Sequence, residues 1–241
     1  MRLVVCLPTY DERENLEPMA RTLGDVFARG GLDALVLVVD DASPDGTGEL
    51  ADRLADELPY LDVLHRERKE GLGPAYVAGF RRALDAGADL VASMDCDFSH
   101  DPGDLPRLVA AAGRADVGLG SRYVRGGGTA NWGLVRRAVS RGGSAYARAI
   151  LGLPVRDLTS GFKVYRRSVL EGIDLAGIES RGYAFQIETV YRALRAGFAV
   201  EEVPIVFSDR TVGGSKMGAG IVLEAAVRVP RLRLAALRGR L

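Results

Sequence analysis

Short apolar runs alternate with longer amphipathic stretches through the first half of the chain. The amphipathic stretches repeat their apolar residues at helical spacing, as Leu16, Met19 and Leu23 do, whereas each apolar run is only as long as a strand. Strands that alternate with helices in this way form a mostly parallel sheet with helices on both faces. We therefore predict a single α/β domain with strands at 3–7, 34–39, 61–64, 90–94 and 117–119.

From about residue 124 the alternation becomes less regular. The apolar spacing predicts further helices over 135–151 and 186–195. Residues 204–220 lack periodicity and contain four glycines, and a long loop of this kind commonly closes over a ligand. Its charged residues are Asp209, Arg210 and Lys216.

Polar residues follow four of the five predicted strands. They lie at 8–12, 40–43, 95–99 and 121–123. Because ligands of open α/β sheets bind beyond the carboxyl ends of the strands, we expect these four loops to meet on one rim and to form the functional site.

Asp95 and Asp97 follow the fourth predicted strand at a spacing of two residues. Side chains alternate faces along a strand, so the two carboxylates can point the same way while Cys96 points the other way. Two carboxylates at a strand end suit a magnesium ion that bridges phosphate oxygens. The pair therefore indicates a metal site and a nucleoside diphosphate substrate, although such pairs also occur in solvated turns.

The composition narrows the possible partners. The chain has 32 basic and 32 acidic residues, so it has no overall field that would collect nucleic acid, and we expect no such partner. Cys6 and Cys96 lie in apolar runs, which indicates a reducing compartment. Together with His65 and His100 they show no zinc-binding spacing.

The sequence contains no membrane-spanning segment, because no run approaches the roughly twenty apolar residues required. Residues 1–8 read as a strand and lack the apolar core of a signal peptide. We therefore expect a cytoplasmic protein that is soluble or peripheral to a membrane.

The C-terminal tail, residues 219–241, is basic and amphipathic. Its leucines Leu234, Leu237 and Leu241 fall on one helical face, and Pro230 is expected to break the segment. Such a tail lies on an anionic membrane surface or caps the fold, and the sequence leaves both readings open. Its arginines are Arg228, Arg231, Arg233, Arg238 and Arg240, against the single acidic residue Glu224.

Several common enzyme signatures are missing. The chain has no Gly-x-Gly-x-x-Gly after the first strand, no Walker-type phosphate loop and no Gly-x-Ser-x-Gly elbow. These absences argue against a dehydrogenase, a P-loop ATPase and a serine hydrolase. The remaining candidates use a metal, carboxylates and cations on phosphates.

Six segments of the chain form a combined pattern: LPTYDERENL at 7–16, VDDASPDGT at 39–47, MDCDFSHDP at 94–102, GSRY at 120–123, SGFK at 160–163 and the loop from Asp209-Arg210 to Ser215-Lys216. Taken together, they resemble the inverting family-two glycosyltransferases of GT-A fold, and more narrowly the dolichol-phosphate or polyprenol-monophosphate mannose synthases. Asp11, Ala42 and Cys96 stand where the family commonly has Asn, Gly and Ala, and none of these departures removes a charged ligand.

The resemblance implies a catalytic domain over 1–218, with a donor-binding half at 1–123 and an acceptor-side half at 124–218. It implies GDP-mannose as donor, a polyprenyl or dolichyl phosphate as acceptor, and Mg²⁺ or Mn²⁺ as cofactor. The implied catalytic residues are Asp95, Asp97, Arg210 and Lys216, and the implied metal ligands are Asp97, Asp95 and, more weakly, Ser99. The implied donor-binding residues are Pro8, Tyr10, Glu12, Val39, Asp41, Asp95, Cys96, Asp97, Arg122, Arg210 and Lys216.

The residues themselves leave some roles open. Pro8 and Tyr10 also suit an ordinary strand-to-helix turn. Asp41 and Asp45 both suit helix capping, and we favour ligand binding for Asp41 and capping for Asp45. Arginine and lysine suit phosphate oxygens, so the resemblance makes Arg122, Arg210 and Lys216 phosphate-binding cations. For the acceptor phosphate, Arg136, Arg137 and Arg141 compete.

The implied reaction requires no protein base, because a phosphomonoester has a second pKa of about 6 and is already largely anionic at neutral pH. Direct displacement would invert the sugar to a β-linked product. Two alternatives stay open: transfer from a UDP-sugar such as UDP-glucose, and a catalytically silent nucleotide-sugar-binding subunit. The resemblance also implies a place at the cytoplasmic face of a membrane, reached directly or through a separate membrane protein.

Overall fold

The computed structural model describes residues 1–182, 184–209, 219–239 and 241. A short 3₁₀ turn at Pro102–Asp104 leads into the fourth helix. The strands of the described residues are β1 (Leu3–Thr9), β2 (Ala34–Asp40), β3 (Leu61–His65), β4 (Leu90–Ser93), β5 (Val117–Ser121), β6 (Gly128–Thr129), β7 (Lys163–Arg166), β8 (Val200–Pro204) and β9 (Val206–Phe207). The helices are α1 (Arg13–Gly30), α2 (Thr47–Glu57), α3 (Leu72–Asp85), α4 (Leu105–Arg114), α5 (Leu134–Leu151), α6 (Arg167–Gly172), α7 (Ala184–Arg195) and α8 (Ala219–Leu237).

Seven strands form one sheet in the order β3-β2-β1-β4-β7-β5-β8. Strand β7 runs antiparallel to its neighbours β4 and β5, and the other pairs are parallel. Strands β6 and β9 pair in a separate small sheet. The predicted mostly parallel α/β sheet is confirmed, and each of the five predicted strands lies within two residues of its expected ends.

The core lies on both faces of the sheet, as the alternation of strand side chains requires. Leu3, Val5 and Leu7 of β1 join one apolar cluster with α1, α2 and α4, while Val4 and Cys6 join another cluster with α3 and α7. Full burial of side chains of this size contributes about 1.5–3 kcal/mol each relative to exposure.

The reversed strand β7 brings a distant loop to the rim. Its first residue, Lys163, pairs with Ser93 of β4 and Leu119 of β5, close to the carboxyl ends of those strands. The preceding loop, residues 157–162, therefore lies beside the loops that follow β4 and β5. The sequence pattern did not predict β7, whose four residues are too few to show a period.

Helix α4 approaches the sheet very closely at Gly118. A Cβ atom at this position would lie 2.2 Å from the carbonyl oxygen of Leu108. Only glycine allows this approach, so Gly118 holds β5 and α4 at the spacing on which the rim depends.

The C-terminal tail forms one continuous helix, and the expected break at Pro230 is wrong. Proline 230 cannot donate to the carbonyl of Ala226 four residues earlier, but the Tyr146 hydroxyl donates to that carbonyl at 2.9 Å. Val229, Leu232 and Ala236 of α8 pack into a third apolar cluster with α5 and α7. Among the described residues, no helix is both long enough and apolar enough to cross a membrane.

Candidate active site

Two cavities open at the rim, and both are lined by Asp95 and Leu72. The first cavity, of about 340 Å³, lies beyond the carboxyl ends of β1, β2 and β4. The predicted residues that line it are Pro8, Tyr10, Glu12, Asp41, Asp95, Cys96 and Asp97. Residues that were not singled out from the sequence also line it: Thr9, Lys69, Gly71, Leu72, Ala75, Arg181 and Gly182.

Other predicted donor residues lie elsewhere. The side chain of Val39 is fully buried in the core, where it would meet a Cβ added at Gly79. Arg122 lines the second cavity. Arg210 and Lys216 lie outside the described residues, so their roles stay predictions.

Asp41 and Asp45 have different partners. The Asp41 carboxylate, which is 4% exposed, pairs with Arg66 and accepts the backbone N–H groups of Glu70 and Gly71 at 3.3 and 3.4 Å. Asp45 accepts the backbone N–H of Thr47, the first residue of α2, at 3.0 Å. Asp45 precedes the N-cap residue Gly46, so this contact is an Asx turn that leads into α2 and not the predicted N-cap bond. Burial acts to raise the Asp45 pKa, but hydrogen bonds from Thr47 and Arg13 lower it overall.

A tyrosine ring forms part of the first cavity. The ammonium group of Lys69 lies 3.3 Å from the centroid of the Tyr10 ring. Aromatic faces attract cations and also stack on nucleobases, so a base that binds to this ring face would take the place of the Lys69 ammonium.

The two aspartates of the Asp-x-Asp pair lie in the loop after β4, because β4 ends at Ser93. The Asp95 side chain is 27% exposed and accepts a hydrogen bond from Tyr76 at 3.2 Å. Burial, reinforced by the charge of Asp95, raises the pKa of Tyr76 well above its ordinary value, so the phenol keeps its proton and donates. Cys96, which lies between the two aspartates in the sequence, packs into the apolar core, as expected.

Asp97 is only 2% exposed, so its carboxylate is much less accessible to solvent than that of Asp95. Its Oδ1 accepts the Ser99 backbone N–H at 3.0 Å and also bonds the Ser99 hydroxyl. Ser99 lines neither of the two cavities. Its contacts therefore orient the Asp97 carboxylate.

The described residues contain no group of three or more His, Cys, Asp or Glu side chains that could hold a metal ion. Two carboxylates nevertheless suit magnesium or manganese, because these hard ions commonly bind one or two protein carboxylates and complete their shell with substrate phosphates and water. Asp95 and Asp97 both line the first cavity, so they fit such an ion.

The second cavity, of about 350 Å³, has two chemically different sides. We call the first its rim side, formed by Asp95, His100, Arg122, Thr159 and the backbone of Gly161. We call the second its helical side, formed by Val139 and Tyr146 of α5, Ile187 of α7, and Ala226 and Val229 of α8.

Arg122 is held in a buried ion pair that the sequence did not reveal. Its Nε lies 2.7 Å from Asp157 Oδ2 and its Nη2 lies 2.6 Å from Asp157 Oδ1, and Thr159 Oγ1 accepts a third bond at 2.7 Å. Asp157 in turn donates its backbone N–H to Glu202 at 3.0 Å. This two-point pairing fixes the guanidinium against the rim side.

The three competing arginines are separated by the structure. Arg136 lines the second cavity, lies 4.2 Å from the Trp132 ring centroid and pairs with Asp209 at 2.6 Å. Arg137 donates to a backbone carbonyl at 3.2 Å, and Arg141 lies 5.6 Å from a tyrosine ring centroid. Neither of these two lines the second cavity, so only Arg136 faces it.

Sequence reasoning assigned no role to three buried polar residues at this site. His100 packs against Phe162 and Phe207, and burial lowers its pKa to about 3, so the ring is neutral. Lys163 donates to the carbonyl and the side-chain oxygen of Gln186, and burial lowers its pKa to about 7. His100 and Lys163 both lie inside the motifs that carry the family resemblance, which was the available signal.

Comparison with known proteins agrees with this geometry. The model of the family described as "Glycosyl transferase family 2" matches residues 4–174, which include both aspartates and most of the rim. The chain belongs to this family. Membership accounts for the sheet, the rim loops and the position of the first cavity at the carboxyl ends of the strands.

Two relatives match over nearly their whole length. An undecaprenyl-phosphate mannosyltransferase from Micrococcus luteus is 49% identical over 236 residues, covering 98% of this chain and 96% of that protein. A polyprenol monophosphomannose synthase from Mycolicibacterium smegmatis is 45% identical over 242 residues, covering 100% of this chain and 89% of that protein.

Among solved structures, a mannosyltransferase from Pyrobaculum calidifontis in complex with GDP-Man and Mn²⁺ has a similar fold. Its TM-score is 0.56 at 16% identity, and the match covers 98% of this chain and 74% of that one. At this identity the likeness concerns the fold.

Proposed function

We propose that this chain transfers mannose from GDP-mannose to a polyprenyl phosphate, with inversion at the anomeric carbon. The observation that carries the proposal is the meeting of two unlike cavities at Asp95. The first offers carboxylates and an aromatic face to a nucleoside diphosphate. The second offers arginines at its rim side and apolar groups at its helical side, as a lipid phosphate requires. The names of the two relatives, at 49% and 45% identity, support this substrate pair.

Asp95 and Asp97 are the residues that would hold Mg²⁺ or Mn²⁺ next to the donor diphosphate. When bound, the ion supplies positive charge to the departing diphosphate. Ser99 keeps the Asp97 carboxylate in place through its two hydrogen bonds. A mannosyltransferase of similar fold was solved with GDP-Man and Mn²⁺, which makes this donor and this ion the first pair to test.

The acceptor needs electrostatic guidance rather than a base. Its phosphate is largely a dianion at neutral pH, with a second pKa of about 6, and can attack directly. Arg122 and Arg136 supply positive charge in the second cavity, and Asp157 holds the Arg122 guanidinium rigid. Because donor and acceptor approach Asp95 from different cavities, attack opposite the departing diphosphate inverts the sugar.

The proposed acceptor is a membrane lipid, so this activity requires contact with a membrane, and we place the protein peripherally at the cytoplasmic face, where we expect the nucleotide sugar. Leu234 and Leu237 of α8 are 45% and 70% exposed, and such leucines suit contact with lipid or with a separate membrane protein.

A donor screen tests the proposal. Purified protein is incubated with undecaprenyl phosphate, Mg²⁺ or Mn²⁺, and radiolabelled GDP-mannose, UDP-glucose or UDP-N-acetylglucosamine, and the lipid phase is counted. We expect label in the lipid with GDP-mannose and a metal ion, and loss of label when EDTA is added. Preferred transfer from a UDP-sugar would contradict the donor assignment. A failure of every donor would contradict an enzymatic role.

A further inference from the structure

Two adjacent glycines, Gly142 and Gly143, lie in the middle of α5, where the fold gives no reason for them. Glycine in a helix interior costs about 1 kcal/mol relative to alanine. Neither residue has a positive φ, and a Cβ atom at either position would meet no atom of the described residues within 4 Å. Both are exposed and helical, so neither a turn nor close packing requires them.

Both glycines line the second cavity, next to its helical side. A side chain at either position would project into space that the described residues leave open. Val139 and Tyr146 lie three residues before and after the pair on the same helix, and both also line the cavity. The glycines therefore leave bare backbone in the wall between these two apolar side chains.

An independent observation indicates that the cavity receives a ligand. Trp132 and Gln186, which are 6% and 1% exposed, both line it. Within the described part of the chain, Trp132 Nε1 and Gln186 Nε2 have no hydrogen-bond partner. The hydrogen bond that Lys163 donates uses the side-chain oxygen of Gln186, so the amide N–H₂ of Gln186 is available as a donor. Buried donors without partners are costly unless a ligand accepts from them.

We propose that Gly142 and Gly143 determine acceptor specificity, by leaving room against α5 for the branched isoprenoid chain next to the acceptor phosphate. This inference rests on the proposed function. A phosphate held at the rim side, near Arg122, directs its chain along the helical side. Methyl branches of an isoprenoid need more width than a linear chain, and bare helix backbone supplies it. The room for the acceptor chain thus offsets the stability that the two glycines cost the helix.

Trp132 provides a direct readout, because it is the only tryptophan of the chain and it lines the cavity. The full chain is titrated with farnesyl phosphate, which carries three isoprene units, and with n-butyl phosphate, while tryptophan fluorescence is recorded. The variants are Gly142→Leu and Gly143→Leu. The matched control is Gly113→Leu in α4, an exposed helical glycine whose Cβ would also meet nothing within 4 Å and which lines neither of the two cavities.

We expect each cavity variant to weaken farnesyl phosphate binding about tenfold or more, in line with the effect of a misplaced side chain in an apolar pocket. Binding of n-butyl phosphate should be maintained, and the Tm should not fall, because leucine also favours a helix over glycine. Gly113→Leu should bind farnesyl phosphate as the parent protein does. Gly142→Ala and Gly143→Ala should raise the Tm while still weakening farnesyl phosphate binding.

The outcomes separate this inference from the proposed function. Three results would each overturn the role of the glycines, even if mannose transfer is observed. They are equal farnesyl phosphate affinity in all variants, equal losses of affinity for both phosphates, and no fluorescence response to farnesyl phosphate. If farnesyl phosphate binding depends on the glycines as expected but no donor supports transfer, the role of the glycines stands and the proposed reaction is contradicted.

Discussion

Three residues of the rim adopt a backbone conformation that favours glycine or asparagine. Asp11, Ala42 and Phe98 have φ values of 56°, 57° and 58°, and they lie in the loops after β1, β2 and β4. Backbone strain of this kind persists where surrounding contacts impose it, commonly at functional sites. Ala42 carries a Cβ atom that is strained in this conformation, whereas glycine, the residue that the family resemblance leads us to expect here, adopts it freely.

We predict that Ala42→Gly stabilises the protein by about 0.5–1 kcal/mol, since relief of the left-handed conformation exceeds the added entropy of the unfolded chain. Urea denaturation measures the change. Ala28→Gly, at an exposed position of helix α1, serves as control and should destabilise by up to about 1 kcal/mol. Destabilisation by Ala42→Gly would show that the methyl group makes a contact worth more than the strain.

Asp97 differs from Asp95 in being buried and bonded to Ser99. We predict that Asp97→Asn lowers mannose transfer at least about a hundredfold, because an amide keeps the volume but loses the charge that a metal ion requires. Transfer and metal-induced thermal shift are measured together. Asp101→Asn is the control, since in the described part of the chain the exposed Asp101 side chain accepts the Gly103 N–H, and an asparagine oxygen can do the same. An active Asp97→Asn protein with an unchanged metal response would exclude Asp97 as a ligand.

At the scale of the elements, the course of α8 depends on a contact from another helix. Pro230 leaves the Ala226 carbonyl without its helical donor, and the Tyr146 hydroxyl of α5 takes that place at 2.9 Å. A hydrogen bond of this type makes a net contribution of about 0.5–1.5 kcal/mol to the free energy of unfolding. The pairing of α5 with α8 therefore compensates for the proline.

We predict that Tyr146→Phe destabilises the protein by about 0.5–1 kcal/mol, and that the loss shrinks in a Pro230→Ala background, where a backbone N–H can reach the same carbonyl. A double-mutant cycle in urea measures this coupling. The same loss in both backgrounds would show that the hydroxyl does not act by replacing the missing helical bond.

At the scale of the whole molecule, α8 has two faces with different roles. One face packs into the third apolar cluster, which supports the reading of the tail as a cap, while Leu234 and Leu237 stay exposed. Two of the tail arginines are engaged within the fold: Arg228 pairs with Glu179 at 2.6 Å, and Arg233 donates to the Leu151 carbonyl at 3.4 Å. Removing the tail would thus damage the core, so point substitutions are the sharper test.

We predict that replacing both Leu234 and Leu237 with serine reduces binding to anionic vesicles at least about tenfold, because insertion of a leucine side chain contributes about 1.5–3 kcal/mol. Co-sedimentation at low and high salt, with neutral vesicles in parallel, measures the effect, and the Tm should change little. Unchanged vesicle binding would mean that another surface, or a membrane partner, recruits the protein.

The sequence by itself determined the sheet type, the strands β1 to β5 and half of the residues that line the first cavity. These features are local, because strand periodicity and the polar residues that follow a strand lie within a few positions of each other. For this reason the sequence placed at one rim several residues that line the first cavity, namely Pro8, Tyr10, Asp41 and the Asp-x-Asp pair.

Only the tertiary structure decided the second cavity and its charges. Arg122 meets Asp157 because β7 runs backwards and carries its leading loop to the rim, and Arg136 alone among three neighbouring arginines faces the cavity. The helical side requires α5, α7 and α8 to pack together, and Pro230 is tolerated only because Tyr146 is near. Such pairings join residues far apart in the chain, and their free energy depends on which surfaces the fold brings into contact, which no local pattern encodes.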